Sequence, residues 1–370
     1  TRRPLKAEIT SSNLVRGTKI GGKMSKFKVA YIGSSKINLE PHNRAIKIAG
    51  GILERVDDSQ KEKAFNELKN YNVIIVEQSQ LPLNSDFFSN LKNSSCKGVV
   101  SFGHGFDSVD TKAATDNKII FVNGASFGTE EVSNQTMMLL LVCARKFVLH
   151  DKLMKSGTWT REYLSPMGHI SGETLGLIGI GDIGRAVARK AKAFGMNILG
   201  YDPYLSSWNF KEYGIEIATS IEKLCEKSDY VSLHTNLTDE THQLIGKKHF
   251  KLMKNTAYFI NCSRGPVVDE LALIDALKSQ DIAGAGLDVF EQEPIDPENP
   301  LLSMDNVATT NHYASYSEIA WERAQTQLGE EAARIGTGSL PMSFINKELI
   351  SKIPDMKQAQ VWEIYKNNFE

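Results

Sequence analysis

Residues Thr174–Tyr204 read TLGLIGIGDIGRAVARKAKAFGMNILGYDPY, and this stretch decides the fold. An apolar run, TLGLI, enters three glycines, Gly179, Gly181 and Gly184, which open the helical run RAVARKAKAF. A second apolar run ends at Asp202, 18 residues after Gly184. Strand, glycine turn, helix and an acidic strand end together mark a dinucleotide-binding turn. Gly179 allows the tight turn, Gly181 lets a pyrophosphate approach the backbone, and Gly184 lets the helix lie close to the strand. The helix N-terminus adds N–H donors and the positive end of its dipole. A carboxylate at Asp202 accepts from both ribose hydroxyls of NAD and repels the extra phosphate of NADP. No Arg follows in YDPYLSS to neutralise it, so the ligand expected is NAD. The competing reading is a tight strand–helix turn without a ligand.

Outward from this turn the chain keeps alternating strand-like and helical runs. Before it come KVAYIG, NVIIVE, KGVVSFG and KIIFVN, with the amphipathic QKEKAFNELKNY and a short helix at SVDTKAATDN. After it come MNILGYD, YVSLHT, TAYFINCS, AGAGLDVF and VATTNHY, then a long helix over about 317–336. Such alternation predicts parallel sheets with helices on both faces, an α/β class of doubly wound domains. Between the two series, GTEEVSNQTMMLLLVCARKFVLHDKLMKSG predicts one helix of about 25 residues, from an acidic start to Gly157. Its apolar face (Val132, Met137, Met138, Leu140, Leu141, Val142) is wide enough to join two domains or seal a dimer.

Composition narrows the function classes. The 370 residues are 41% apolar and 24% charged, ordinary for a globular protein of two domains. With 43 basic and 44 acidic side chains the net charge is −1, which points to neither nucleic acid nor an anionic membrane surface as partner. The longest fully apolar run, MMLLLVCA, is far too short to span a bilayer. Cys96, Cys143, Cys225 and Cys262 form no CxxC pair and no zinc spacing; they read as reduced thiols, and the location expected is cytoplasmic. No metal is implied. Residues 1–23 are basic and without apolar period, and read as a disordered extension, a transit peptide being the less favoured alternative.

Three further segments end strands of the second series: NCSRGPVVDE (Asn261–Glu270), GLDVFEQEP (Gly286–Pro294) and TTNHYASYSE (Thr309–Glu318). Ligands of open α/β sheets bind at that edge. With these motifs in this order, the chain from about Phe27 to Asn346 resembles the D-isomer-specific 2-hydroxyacid dehydrogenases. The resemblance implies a Rossmann NAD-binding domain (127–310) and a discontinuous flavodoxin-like substrate domain (24–126 and 311–346), with the active-site cleft between them and a tail at 347–370. It implies that Arg264 binds the substrate carboxylate, that His312 is the acid/base, and that Glu293 supports it.

The chemistry agrees with those assignments. A 2-oxo acid offers a carboxylate for a two-pronged Arg264 grip. His312 can protonate the carbonyl oxygen, or take the hydroxyl proton in reverse. Glu293 would orient the ring and stabilise the imidazolium. By position, the resemblance adds cofactor contacts at Asp182, Ile183, Thr235, Cys262, Ser263, Arg264, Asp288 and His312. SFGHGFDSVD matches a loop whose backbone approaches the substrate carboxylate, at Gly103, His104 and Gly105; His104 faces the substrate or is an ordinary loop histidine. The resemblance also implies a homodimer sealed by the long helix near Glu130.

The sequence departs from the family pattern at several places. Asn311 and Asn236 replace usual prolines, and EVSNQ replaces a common Val-Ala-Glu/Asp-His. VEQSQ lacks an Arg found in phosphoglycerate dehydrogenases, which argues against a phosphorylated substrate. The function expected is NAD-dependent reduction of a small 2-oxo acid such as glyoxylate or hydroxypyruvate. The alternatives are an NAD-sensing, corepressor-like binding protein on the same fold and, as a close third, oxidation of formate or phosphite. Glu293 counts against formate, where the family's branch has Gln.

Overall fold

A computed structural model describes residues 27–124, 127–164, 167–353 and Met356. The extension expected to be disordered at 1–23 lies outside the described residues, as does most of the expected tail. The chain divides into two compact units, Thr1–Ala125 with Trp321–Glu370, and Ser126–Ala320.

The first unit is a five-stranded parallel sheet in the order β2-β1-β3-β4-β5. Its elements are β1 (Lys28–Gly33), α1 (Glu40–Ile48), β2 (Ile52–Arg55), α2 (Lys61–Leu68), β3 (Val73–Glu77), α3 (Ser85–Asn90), β4 (Gly98–Ser101), α4 (Thr111–Asp116) and β5 (Ile120–Asn123). The central strand β3, VIIVE, is buried along its whole length, as a strand covered on both faces must be. Asn84 and Asp110 start α3 and α4 by accepting from Phe87 N (3.1 Å) and Ala113 N (2.8 Å). Leu349, in a 3-10 turn at Lys347–Lys352, is fully buried in this core, so the expected tail begins inside the fold.

Within that core His42 and Glu77 are both shut off from solvent, with Nε2 and Oε2 3.0 Å apart. Glu77 also accepts from the Tyr31 hydroxyl (3.3 Å) and from Gln325 Nε2 (3.2 Å). Burial first, then the charge of Glu77, pushes the Tyr31 hydroxyl above its ordinary pKa.

The second unit starts with α5 (Thr129–Ala144) and α6 (Phe147–Lys155). Then follow β6 (Thr174–Ile178), α7 (Asp182–Ala193), β7 (Asn197–Tyr201), α8 (Ser207–Glu212), β8 (Glu216–Ile217), α9 (Ile221–Lys227), β9 (Tyr230–Leu233), α10 (Lys247–Leu252), β10 (Tyr258–Asn261), α11 (Glu270–Lys278), β11 (Gly284–Leu287) and β12 (Val307–Thr309). Seven parallel strands run in the order β12-β11-β10-β9-β6-β7-β8. The order reverses between β6 and β9, and the glycine turn follows β6 at that switch point.

Two expectations need correction. The single helix of about 25 residues is two helices bent by 65°. Lys146 takes a left-handed backbone (φ +49°) and ends α5 where glycine usually serves. Of the apolar face of α5 read from the sequence, Val132, Met137 and Leu140 are buried in this unit's own core, and Met138, Leu141 and Val142 are partly buried against it. Among the described residues no single helix is long and apolar enough to cross a membrane. The return to the first unit comes at Trp321 rather than at 311, because the backbone of His312 and the residues after it is bonded to Asp288. A last helix, α12 (Glu318–Gly336), then carries the fully buried residues Ala324, Leu328 and Ala332 at intervals of four on one face.

The His42–Glu77 cluster yields a stability prediction. Glu77→Ala strips the hydrogen-bond acceptor from Tyr31 and Gln325 at once and removes the carboxylate 3.0 Å from His42 Nε2, and should cost about 3–5 kcal/mol. Urea denaturation checks this; a loss under about 1 kcal/mol would show that the cluster is not holding this unit.

Candidate active site

The predicted turn forms at the C-terminal end of β6. Gly179 has φ +92°, and a side chain there would stand 2.6 Å from the His234 carbonyl oxygen. A side chain on Gly184 would run into the Gly179 carbonyl, so helix and turn touch backbone to backbone. Space is open beside Gly181, with no heavy atom within 4 Å of where a Cβ would sit. No side chain caps α7 at Gly181, which leaves the first turn of the helix for an anion. Asp182, an acid in that turn, is paired with Arg185, whose second nitrogen donates to the Ile180 carbonyl (3.1 Å). Ile183 packs against the core.

Asp202 closes the turn from the side. Its Oδ2 accepts from Ile180 N (2.9 Å) and its Oδ1 from Tyr204 N (3.0 Å). Two N–H donors fix the carboxylate and leave lone pairs for further partners. Beyond β9, the Thr235 hydroxyl is buried without a hydrogen-bond partner, next to the turn. His234 bonds through Nε2 to the Ser232 hydroxyl (3.0 Å). Although part of the residue reaches solvent, burial pushes its pKa down to about 3, so the ring is neutral. The backbone carbonyl of Asn236, in place of the usual proline, accepts from the Thr241 hydroxyl (2.6 Å), which also accepts from Thr238 N (2.8 Å). Threonine hydroxyls shape this loop. These residues fit a dinucleotide: an open glycine turn, an uncapped helix end, a fixed carboxylate and an unpartnered hydroxyl.

A second cluster lies on the same sheet edge, after β10, β11 and β12. Asn261, almost fully buried, folds the turn that bears Arg264. Its Oδ1 accepts from Ser263 N and Oγ (both 2.9 Å), and its Nδ2 donates to the Arg264 carbonyl (2.9 Å). The next residue, Gly265, lies so close to the Phe290 carbonyl that no side chain fits. Phe290 N donates to Glu293 Oε1 (3.0 Å), and Glu293 Oε2 meets His312 Nδ1 at 2.6 Å. Burial works to raise the Glu293 carboxyl. The His312 and Phe290 bonds, with the charges of His312 and Arg264, outweigh it and hold the pKa below its ordinary value. The imidazole thus spends Nδ1 on the carboxylate and keeps Nε2 for another partner, on a ring that is 45% exposed.

His312 has a left-handed backbone (φ +54°), a strained place for a non-glycine residue. Asp288 holds it there. The Asp288 carbonyl accepts from His312 N (2.8 Å), while its carboxylate accepts from the Thr310 hydroxyl (2.5 Å), Ala314 N (3.1 Å) and Tyr313 N (3.3 Å). Thr310 in turn accepts from Gln135 Nε2 (3.0 Å). Burial raises the Asp288 carboxyl above its ordinary pKa, against these bonds. The Cys262 thiol faces the core, and burial pushes it up to about 12.

Gly103, His104 and Gly105 lie in the first unit, in the loop after β4. Gly103 has φ +103° with open space beside it, and the His104 carbonyl accepts from Asn123 Nδ2 (2.7 Å). Asn261, Thr310 and Gln135 were not singled out from the sequence. Asn261 carried a readable signal, an Asn two residues before a Ser at a strand end, which favours a side-chain-to-backbone turn.

Comparison with known proteins agrees with this architecture. Residues 137–314 match the D-isomer specific 2-hydroxyacid dehydrogenase, NAD binding domain. The glyoxylate reductase of Korarchaeum cryptofilum is 42% identical over 259 residues, 69% of this chain and 78% of that protein. The chain belongs to the D-isomer-specific 2-hydroxyacid dehydrogenases. This is a family of NAD-binding oxidoreductases. The D-3-phosphoglycerate dehydrogenase of Methanocaldococcus jannaschii is 38% identical over 322 residues, 86% of this chain; the match spans only 60% of that longer protein. The crystal structure of a glyoxylate reductase from Paecilomyes thermophila superposes with a TM-score of 0.78 at 25% identity, over 88% of this chain and 100% of that one.

The Glu293–His312 contact yields a pH prediction. A carboxyl with a lowered folded pKa adds stability above its ordinary value of about 4.3 and loses it as pH falls through the folded value. Urea midpoints of the unmodified protein should therefore exceed those of Glu293→Gln at pH 7, and the gap should narrow below about pH 4. A gap independent of pH would mean that the charge of Glu293 contributes nothing.

Proposed function

We propose that this protein interconverts a small 2-oxo acid and its D-2-hydroxy acid, with NAD as cofactor and glyoxylate or hydroxypyruvate as the substrate type. The observation that carries this reading is the 2.6 Å contact between His312 Nδ1 and Glu293 Oε2, beside a turn that presents Arg264. Arg264 grips the substrate carboxylate by two parallel N–H bonds, which orients the adjoining carbonyl. His312 Nε2 gives its proton to the carbonyl oxygen in reduction, and takes the hydroxyl proton in oxidation. Glu293 keeps the ring in the orientation that frees Nε2 and balances the charge on the imidazolium. When bound, NADH supplies the hydride that reaches the carbonyl carbon. The turn at Gly179–Gly184, Asp202, Thr235 and Ser263 hold the cofactor, Cys262 contributes through its backbone, and Asp288 serves the nicotinamide side as well as the His312 loop. Backbone donors at Gly103, His104 and Gly105 are further candidates for the carboxylate.

A small, unphosphorylated acid is favoured by Glu77. It occupies the stretch where phosphoglycerate dehydrogenases carry an arginine, and it is buried against His42 and Gln325. A cytoplasmic location accords with four free, buried cysteines. A homodimer accords with the partly exposed Met138, Leu141 and Val142 of α5, continued by α6 and the segment after it, where Phe147 and Met154 are each 56% exposed and Trp159 84%.

Two outcomes test these readings. A panel of glyoxylate, hydroxypyruvate, pyruvate, longer 2-oxo acids and formate, followed by NADH absorbance, should give turnover with the short 2-oxo acids. His312→Ala should then lower kcat about 10²- to 10⁴-fold with NADH binding kept, and Arg264→Lys should raise KM for the acid more than for the cofactor. Tight NADH binding without turnover across the panel would replace the enzyme with an NAD sensor. For the dimer, sedimentation of the unmodified protein should give twice the chain mass at micromolar concentration, and Phe147→Glu with Met154→Glu should give the monomer. A monomeric unmodified protein would refute the seam.

A further inference from the structure

Two carboxylates, not one, stand on the adenosine side of the glycine turn. Asp202, after β7, is the one read from the sequence. Glu240 is the other, in the loop that follows β9. In the sheet order β9-β6-β7, these two loops flank the turn on opposite sides. Tyr204 joins them: its backbone N–H donates to Asp202 Oδ1 (3.0 Å), and its hydroxyl donates to the Glu240 carboxylate. The bond to Glu240 and the charge of its carboxylate raise the pKa of the Tyr204 hydroxyl, so tyrosine is the donor and Glu240 the charged acceptor. The basic side chain of the turn, Arg185, is committed to Asp182 and to the Ile180 carbonyl.

Tyr204 therefore holds a second negative charge, Glu240, one tyrosine side chain away from Asp202. We propose that Glu240 is a second residue that excludes a 2′-phosphate and so selects NAD over NADP, acting through its charge rather than through a hydrogen bond to the ribose. The proposal rests on the reading of Asp202 as the ribose acceptor and extends it to a loop that carries no part of the glycine motif. Charge repulsion between exposed groups acts over several ångströms and is screened by salt, whereas a lost hydrogen bond is not.

The test is direct binding of NADH and NADPH, read by nicotinamide fluorescence in the full-length protein. It compares the unmodified chain, Glu240→Gln, Asp202→Ala, the double variant and Tyr204→Phe. Glu240→Gln should tighten NADPH about three- to tenfold at low salt and leave NADH within about twofold, and the gain should shrink in about 0.5 M salt. The double variant should bind NADPH more tightly than either single one. Tyr204→Phe, which releases Glu240 but keeps its charge, should retain most of the discrimination. Unchanged NADPH affinity on replacing Glu240, both in the otherwise unmodified chain and in the Asp202→Ala variant, would overturn the proposal and leave Asp202 as the selector. Failure of the unmodified chain to bind NADH would overturn the dinucleotide reading, and the role of Glu240 with it.

Discussion

A carboxylate wholly removed from water is tolerable only when its lone pairs are met, and Asp288 meets this condition by drawing the chain around itself. Its side chain collects Thr310, Tyr313 and Ala314, and its carbonyl collects His312 N. Its own N–H donates to the Asn261 carbonyl (2.9 Å), the residue whose side chain folds the Arg264 turn. Arg264 and His312 are thus two ends of one hydrogen-bonded unit. Gly265 against the Phe290 carbonyl, and Phe290 N on Glu293, close the same unit from the other side. The left-handed backbone of His312, which costs energy in isolation, persists because these bonds over-determine it.

That unit can exist only because the strands are parallel. Parallel strands bring all their C-terminal ends to one edge, and β10, β11 and β12 are hydrogen-bonded neighbours there. Side chains far apart in sequence, such as Arg264 and His312, are then carried by neighbouring turns. The same geometry opens the β6–β9 switch point, where two neighbouring strands send their chains in opposite directions. The glycine turn and the Arg264–His312 unit share one edge of one sheet.

Much of this was legible in the sequence, for a physical reason. The glycine motif, Asp202 and the strands buried on both faces are local patterns, and local patterns survive translation into composition and period. What was not legible is of two kinds. Short, half-exposed elements such as β2, ILER, have no clean alternation, and both β2 and α1 passed unnoticed. The break between α5 and α6 has no glycine or proline to announce it; Lys146 takes the left-handed conformation instead. The second kind is contact at long separation. Glu77 with His42 and Gln325, Gln135 with Thr310, and Tyr204 with Glu240 are pairs that only the fold can bring together. His312 could be found by motif, but the residues that hold its loop could not.

Burial sorts the acids of this chain into two uses. Glu77, Asp288 and Glu331 are almost wholly buried, and each has its oxygens spent on protein donors; Glu331 caps the backbone of Met342 and Ser343. Burial raises the carboxyls of Asp288 and Glu331 toward the neutral form, against their bonds and the charges of His312 and Arg334. Such groups fix the architecture, as Asp288 fixes the loop of His312. Asp202 and Glu293 are partly exposed, each pinned by one or two backbone N–H groups and each with lone pairs to spare. A carboxylate fixed in direction yet still in contact with solvent keeps its charge while its position is set. That combination is what a ribose hydroxyl or an imidazolium requires of its partner. It separates acids whose oxygens are spent on the fold from those still open at the candidate site, where sequence alone shows only Asp and Glu.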